Sequence, residues 1–202
     1  VVALRAAGLP ADAVLADASG TAVAGLHLSG LGSALLLLIL GVGAVVQGYA
    51  GRYLHGDVRR HRFHALAGAA PAATAATVTA ATLLGFAIAW TLTGLALLGL
   101  LGLYRGFPAA DEGVRRTARA FAIGDTALWL AVAIVLVRWG DLDLRALGAP
   151  GGSPVTGDLV AVLLLVAAIA RSAQLPLQAW LPATLAAPTP VSAILHAGVV
   201  IG

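Results

Sequence analysis

Three ionisable residues, Asp125, Arg171 and His196, lie deep inside apolar stretches of this 202-residue chain. A charge in such a stretch is costly and rare, so each of the three indicates a functional group with a partner. Only His readily takes up and releases a proton near neutral pH, whereas the guanidinium of Arg stays protonated. All three side chains are therefore candidate functional groups, and His196 is the one suited to relay a proton. For His196 taken alone, a hydrogen-bonded core residue is an equally good interpretation.

Asp125 and Arg171 are predicted to form one buried ion pair. Asp125 lies 13 residues from Arg138, and Arg171 lies 13 residues from Asp158. At 1.5 Å per residue each is about 20 Å below the outer ends of two consecutive antiparallel helices. Leaving either charge alone in a low dielectric costs several kcal/mol, which favours pairing. A static pair that only fixes the helix register is the alternative.

The composition excludes a water-soluble globule. Hydrophobic residues make up 60% of the chain and charged residues 10%, against about 25% charged residues in soluble domains. Several apolar runs have the length of about 20 residues that a bilayer requires, so lipid is the predicted surrounding. The basic isoelectric point is therefore no evidence for a nucleic-acid partner, and none is expected.

The cysteine and histidine content predicts neither a metal site nor a cofactor. The chain has no Cys, which excludes disulfides, thiolate metal sites and iron–sulfur clusters within these residues. His55, His61 and His64 have no spacing typical of metal ligands and are expected on a solvated surface. The chain begins with Val1 and ends in an apolar run, so an internal fragment of a longer protein is expected.

The apolar runs predict an all-α integral membrane protein, a polytopic helix bundle. Residues 1–28 are expected to form an outer-side segment with a short hairpin, and residues 29–202 the membrane domain. Helices are predicted at about 29–50, 65–80, 82–104, 120–139, 159–185 and 189–202, the last one truncated.

Four prolines are predicted to mark breaks in the last two helices: Pro176, Pro182, Pro188 and Pro190. The backbone groups that a broken helix frees must line protein or water, as in transporter ion paths. A kink used only for packing is the alternative.

The placement of arginine predicts the orientation in the membrane. The segments 51–64 and 105–119 hold four Arg each, whereas residues 1–28 hold one. Helix counting places the two Arg-rich loops on the same side, and the positive-inside rule makes that side cytoplasmic. Tyr49, Tyr53, Tyr104 and Trp139 fall at the predicted helix ends, where they are expected to act as interfacial anchors.

Two stretches near the C-terminal end carry a family resemblance: residues 171–182, RSAQLPLQAWLP, and residues 187–198, APTPVSAILHAG. They resemble the proton-conducting, antiporter-like subunits of respiratory complex I, chiefly subunit L (chain 5), together with Mrp-type antiporters and the DabB subunit of inorganic-carbon transporters. The resemblance spans about residues 10–202. It implies that the chain is a fragment of a bundle of some fourteen helices with inverted repeats.

The resemblance implies roles for individual residues. Residue 171 corresponds to the central basic site of a half-channel, His196 to the next relay group and Asp125 to a helper acid. Thr91 stands where complex I subunits place an acid, Ala122 where an Arg is expected, and Arg171 where Lys is usual. Because Arg does not exchange its proton, Arg171 is interpreted as a fixed counter-charge that tunes His196 or Asp125.

The pattern from Trp90 to Leu97 resembles the DabB branch more than a complex I subunit. The sequence therefore predicts a proton-translocating subunit of the bacterial inner membrane that has no catalysis or cofactor of its own. A DabA-like partner and energy-coupled inorganic-carbon uptake are favoured. The alternatives are subunit L in the membrane arm of an NADH-quinone oxidoreductase and a Na⁺/H⁺ antiporter subunit. Thr91 and Arg171 also fit a membrane scaffold that has lost conduction.

Overall fold

A hairpin of two short strands precedes the helices. A computed structural model of the chain describes residues 12–16, 22–103, 108–144, 154–184 and 191. Strands β1 (Asp12–Ala16) and β2 (Ala22–His27) pair antiparallel, with Asp12 opposite His27. They lie within residues 1–28, where the sequence predicts a hairpin.

Six helices follow within the described residues. Three of them are long and apolar enough to cross a membrane, at Gly30–Tyr53, Leu83–Gly102 and Ala110–Trp139. The helices are α1 (Gly30–Tyr53), α2 (Arg60–Thr79), α3 (Leu83–Gly102), α4 (Pro108–Trp139), α5 (Pro154–Arg171) and α6 (Trp180–Ala183).

The reversal between α2 and α3 takes only three residues, 80–82, and neighbouring segments satisfy its backbone. The Ala81 amide donates to the Gly25 carbonyl at 2.9 Å, and the Leu83 amide donates to the Leu142 carbonyl at 2.7 Å. The Thr82 hydroxyl caps α3 by accepting from the Gly85 amide at 3.1 Å. So short a turn is stable here because the hairpin and the chain after α4 provide partners for buried backbone groups.

Helix α4 begins twelve residues before the predicted start at 120, so most of the expected basic loop is helical. Pro108 occupies the first turn, where its missing amide costs nothing, and Asp111 adds an acidic group to that turn. Glu112 pairs with Arg115 and Arg116 at three and four residues' spacing, which stabilises a helix surface. These local signals extend the helix beyond its apolar part.

Helix α5 also starts earlier than the predicted residue 159 and ends at Arg171. Irregular backbone follows to Ala179, and Pro176 lies within it. Pro182 lies inside the short helix α6. The segments that contain Pro188, Pro190, His196 and Tyr104 fall outside the described residues.

Small residues let the helices approach closely. An added Cβ at Gly99 of α3 would lie 2.9 Å from a Leu66 methyl of α2. The same addition at Gly124 of α4 would lie 2.8 Å from the Ala170 Cβ of α5. Close approach through small residues is how helices gain packing contacts in lipid, where a hydrophobic driving force between them is missing. It brings α3 close to α2, and α4 close to the end of α5.

Candidate functional site

The candidate site lies where α3, α4 and the last residue of α5 meet. Trp90 and Gly94 come from α3, Phe121 and Asp125 from α4, and Arg171 ends α5. Phe121 and Asp125 are four residues apart and so share one helix face. The two charged side chains that the sequence singled out are thus placed on neighbouring helices.

Arg171 makes two polar contacts through one nitrogen. Its Nη2 donates to the Trp90 carbonyl at 2.8 Å and lies 3.5 Å from Asp125 Oδ1. The Arg171 side chain is 7% exposed and that of Asp125 22%. The two charged groups are in contact, as their matching depth predicted. The guanidinium is buried and the carboxylate is partly exposed.

Two aromatic rings hold the guanidinium between them. The Arg171 Cζ atom lies 4.2 Å from the centroid of the Phe121 ring and 4.7 Å from that of Trp90. A cation above an aromatic face gains about 2 kcal/mol when it is desolvated. The rings therefore offset part of the cost of burying a permanent charge among helices.

Gly94 provides the space for the guanidinium. A Cβ added there would lie 2.7 Å from Arg171 Nη1 and 3.0 Å from Nη2. Any side chain at this position would compete with the cation for the same volume. The residue is required by close approach, since its backbone lies within a regular helix.

The remaining terminal nitrogen of Arg171 has no acceptor among the described residues. Nη1 is buried and makes no hydrogen bond to that part of the chain. A buried donor left without a partner costs about 1–3 kcal/mol, more when it is charged. Water or a side chain from elsewhere in the protein is therefore the expected acceptor.

Asp125 opens onto a cavity of about 480 Å³ between α3 and α4. The cavity is also lined by Thr91, Ala122, Thr126, Trp129 and Leu130. Thr91, which the resemblance places at the position of an acid, accepts a hydrogen bond from Trp129 Nε1 at 3.1 Å. This neutral pair links the two helices one turn away from the carboxylate.

Trp180 of α6 packs against the site through Phe121 and the end of α5. Its ring is 1% exposed and meets Phe121 edge-on at a centroid distance of 5.0 Å. Its Nε1 donates to the Ala170 carbonyl at 3.0 Å, one residue before Arg171. The helix fragment after the irregular segment thus fixes both the aromatic ring under the guanidinium and the backbone that carries it.

Sequence reasoning identified the charges but missed what surrounds them. Phe121 could have been found, because it precedes Asp125 by one helical turn. Gly94 and the Trp90 carbonyl gave no signal, since their role depends on how α3 is rotated. His196 lies outside the described residues, so its distance from the pair remains a prediction.

The expectation for the basic-loop histidines was wrong for His64. This residue lies in α2, is half-buried, and its Nδ1 is 2.6 Å from Gln47 Oε1 of α1. Gln47 Nε2 in turn donates to the His64 carbonyl at 3.0 Å. The described residues hold no cluster of His, Cys, Asp and Glu that could bind a metal ion.

The fold and the site define a helical membrane protein with three candidate membrane-spanning helices and a charge pair between helices. Residues 80–202 match the family described as NADH:quinone oxidoreductase/Mrp antiporter, TM. Residues 18–64 match the N-terminus of chain 5 of NADH-ubiquinone oxidoreductase, complex I. The chain belongs to this family of complex I and Mrp antiporter membrane subunits.

Named relatives come from different complexes. The chain is 31% identical to NADH-quinone oxidoreductase subunit L of Mycobacterium tuberculosis, over 88% of this chain and 28% of that protein. It is 32% identical to the probable inorganic carbon transporter subunit DabB1 of Halothiobacillus neapolitanus, over 90% of this chain and 34% of that protein. The chain thus spans about a third of the length of these relatives.

A solved structure has the same fold. The Mrp complex from Dietzia sp. DQ12-45-1b contains a chain that matches 96% of this one, with a TM-score of 0.83 and 32% identity. The match covers 22% of that chain. The solved chain is part of an Mrp complex, which agrees with the family that residues 80–202 match.

Proposed function

We propose that this chain belongs to a proton-translocating subunit in which Asp125 and His196 lie on the proton path and Arg171 is a fixed counter-charge. The observation that carries the proposal is the contact of a buried, permanently charged guanidinium with a partly exposed carboxylate, at 3.5 Å. Intramembrane charges of this kind mark ion pathways in transporters.

The two members of the pair differ in access, which supports different roles. Asp125 borders an open groove of about 480 Å³ that Thr91 and Thr126 line together with apolar side chains, and it is the more exposed member of the pair. Arg171 is closed in by Trp90, Phe121 and Gly94. Protonation of Asp125 removes the charge that pairs with Nη2, while the cation stays in place because Arg keeps its proton. The pair can therefore open and close as the acid changes state.

The Nη1 atom of Arg171 supports a second contact of this residue along the proposed proton path. It lacks an acceptor among the described residues. We assign this place to water of the proton path, in agreement with the relay role that the family resemblance implies for His196.

The process to which proton translocation is coupled is a separate question from the path itself. Identity to subunit L and to DabB1 is 31% and 32%, so similarity favours neither. We retain energy-coupled inorganic-carbon uptake with a DabA-like partner, on the pattern from Trp90 to Leu97, within a multi-pass protein of the bacterial inner membrane. Copurification of respiratory subunits instead would support a complex I membrane arm, and a Na⁺ requirement would support an antiporter.

The test is proton flux in liposomes that contain the full-length protein with its partner. Asp125→Asn keeps the shape of the side chain but cannot bind and release a proton. We expect it to assemble normally and to lower flux at least tenfold. Asp111→Asn is the matched control, because it makes the same change at an exposed position of the same helix. Equal flux from both variants would remove Asp125 from the path.

Two further variants distinguish transport from a scaffold. Arg171→Gln, combined with Asp125→Asn, leaves no uncompensated charge, so the double variant should assemble better than Arg171→Gln alone if the pair only fixes the helix register. If flux stays low when assembly is restored, the charges serve transport. His196→Ala should also lower flux, and wild-type flux from this variant would exclude His196.

A further inference from the structure

Arg171 is the last residue of α5, and the backbone leaves the helical pattern directly after it. Ala173 has a φ of 52°, a left-handed conformation of the kind that ends helices. The Gln174 amide donates to the Ile169 carbonyl at 3.1 Å, whereas in a continuing helix it would donate to Ala170. The Ala170 carbonyl therefore lacks its helical donor, one residue before the charged side chain.

The indole of Trp180 supplies a donor in place of the missing amide. Its Nε1 donates to the Ala170 carbonyl at 3.0 Å, from ten residues further along the chain. A carbonyl without a donor is strongly disfavoured inside a membrane, so this hydrogen bond favours one position for the end of α5. The point from which the Arg171 side chain extends therefore depends on where the indole lies.

The same indole also contacts the ring on which the guanidinium packs. Trp180 meets Phe121 edge-on at a centroid distance of 5.0 Å, and the Arg171 Cζ atom lies 4.2 Å from the Phe121 centroid. Trp180 is 1% exposed, so its ring cannot turn without displacing close-packed neighbours. One side chain thus contacts both the backbone that carries the guanidinium and an aromatic ring beside it.

Helix α6, which carries Trp180, packs on α4 through a glycine. A Cβ added at Gly113 would lie 2.5 Å from the carbonyl oxygen of Ala183, the last residue of α6. Gly113 precedes Asp125 by twelve residues, which is about 18 Å along α4. The position of α6 is therefore also fixed at a point remote from the charge pair.

We propose that Trp180 is a positioning residue, whose indole N–H sets the distance between the Arg171 guanidinium and Asp125. Loss of this donor leaves the Ala170 carbonyl unpaired, so the end of α5 shifts and the contact of 3.5 Å between the two charged groups changes. The effect on proton flux rests on the proposed function, whereas the effect on the charge pair does not. If Trp180 only filled the core, Phe would replace it with little consequence for the pair.

The first test is a double-mutant cycle in the thermal unfolding of the purified full-length protein, followed by calorimetry. Trp180→Phe keeps an aromatic ring beside Phe121 and removes the donor. If the indole positions the pair, Asp125→Asn should lower the unfolding temperature less in the Trp180→Phe background than in the wild type, by roughly 2 °C or more, because groups that act through one contact are not additive.

Trp139→Phe is the matched control for the cycle. It makes the same change at the outer end of α4, fourteen residues from Asp125. Its effect on the unfolding temperature should add to that of Asp125→Asn. Additive shifts for Trp180→Phe as well would overturn the proposal.

The second test is the pH dependence of proton flux in liposomes that contain the full-length protein with its partner. The distance of a cation from a carboxylate affects the pH at which the acid exchanges its proton. Trp180→Phe should therefore shift the midpoint of the curve of flux against pH by roughly half a unit or more. Gly113→Ala, which displaces α6 from a remote point, should shift it in the same direction. A loss of folded protein would instead lower flux equally at every pH.

Unshifted curves for both variants, or an equal shift from Trp139→Phe, would overturn the role of Trp180. Failure of the proposed function has a different signature. In that case Asp125→Asn would leave flux unchanged, while the coupling between Trp180→Phe and Asp125→Asn in thermal unfolding would persist and would still support the positioning role.

Discussion

Arg171 shows how a permanent charge is accommodated between apolar helices. Its burial is offset by the Trp90 carbonyl, by Asp125 and by two aromatic faces, all within hydrogen-bonding or ring-stacking range. Removing one partner of a buried ion pair is more damaging than removing both, because the remaining charge is uncompensated. The residues that shape the volume around the guanidinium therefore matter as much as its counter-ion.

Gly94→Ala is predicted to displace the Arg171 guanidinium. The new methyl group would lie 2.7 Å from Nη1, and Arg171 cannot withdraw without losing the Trp90 carbonyl and Asp125. We expect a loss of about 1–3 kcal/mol in the free energy of unfolding, the usual cost of overpacking, together with reduced proton flux. Thermal unfolding of the purified protein, followed by tryptophan fluorescence, measures the first effect.

The matched control for this substitution is Gly48→Ala in α1, where no atom lies within 4 Å of the added Cβ. Because Ala favours the helix over Gly by about 1 kcal/mol, this variant should be as stable as the wild type or more so. Equal stability of the two variants would mean that Arg171 has room that the structure does not show.

At the scale of elements, local signals and tertiary packing explain different parts of the fold. The depth of Asp125 and Arg171 could be predicted from the sequence, because residue spacing along a helix converts directly into distance. The contact of Gly94 with the guanidinium could not. Helix α3 is apolar on all sides, so no hydrophobic face indicates its rotation. Its orientation is decided only by packing against α2 and α4.

The start of α4 is the opposite case. The sequence contains local signals for the helix start, but the charged composition of the segment favoured a loop in the prediction. Pro108 and Asp111 are a typical helix start, yet the density of charge in residues 105–119 favoured a loop. The apolar pattern determines which part of a helix lies in lipid. It does not determine where the helix begins, because a charged extension in water is stabilised by its own side-chain pairs.

Glu112→Gln is predicted to loosen the first turns of α4. The carboxylate contacts Arg116 Nε at 2.5 Å and also pairs with Arg115, and the substitution removes the charge from both contacts. We expect roughly twofold faster hydrogen exchange of the amides near residues 108–116, the size of effect that exposed helix pairs produce. High salt should reduce the difference, since it screens exposed charges.

Arg119→Gln is the control for this change, because it removes a charge from an exposed position of the same helix without touching Glu112. Its exchange pattern over residues 108–116 should match the wild type. If Glu112→Gln exchanged at the wild-type rate in low salt, the pairs would be irrelevant to the helix start, and Pro108 and Asp111 would be sufficient.

At the scale of the whole molecule, the segments that connect the helices lie at two opposite ends of the bundle, and these two ends differ in composition. At one end the hairpin, the turn at residues 80–82 and the segment 141–144 are joined by backbone hydrogen bonds. At the other end lie the turn between α1 and α2, the end of α3 and the start of α4. Most arginines are at this second end, so the positive-inside rule predicts that it faces the cytoplasm.

Cysteine labelling in cells is predicted to reveal this orientation. The chain has no Cys, so an introduced thiol is unique within these residues. Val58→Cys lies in the arginine-rich turn at a position that is 95% exposed, and Asp141→Cys is exposed at the opposite end. A membrane-impermeant maleimide should label Asp141→Cys in intact spheroplasts and Val58→Cys only after permeabilisation. The reverse pattern would contradict the orientation. Labelling of both thiols in intact spheroplasts would mean that the two ends of the helix bundle do not lie on opposite sides of the membrane.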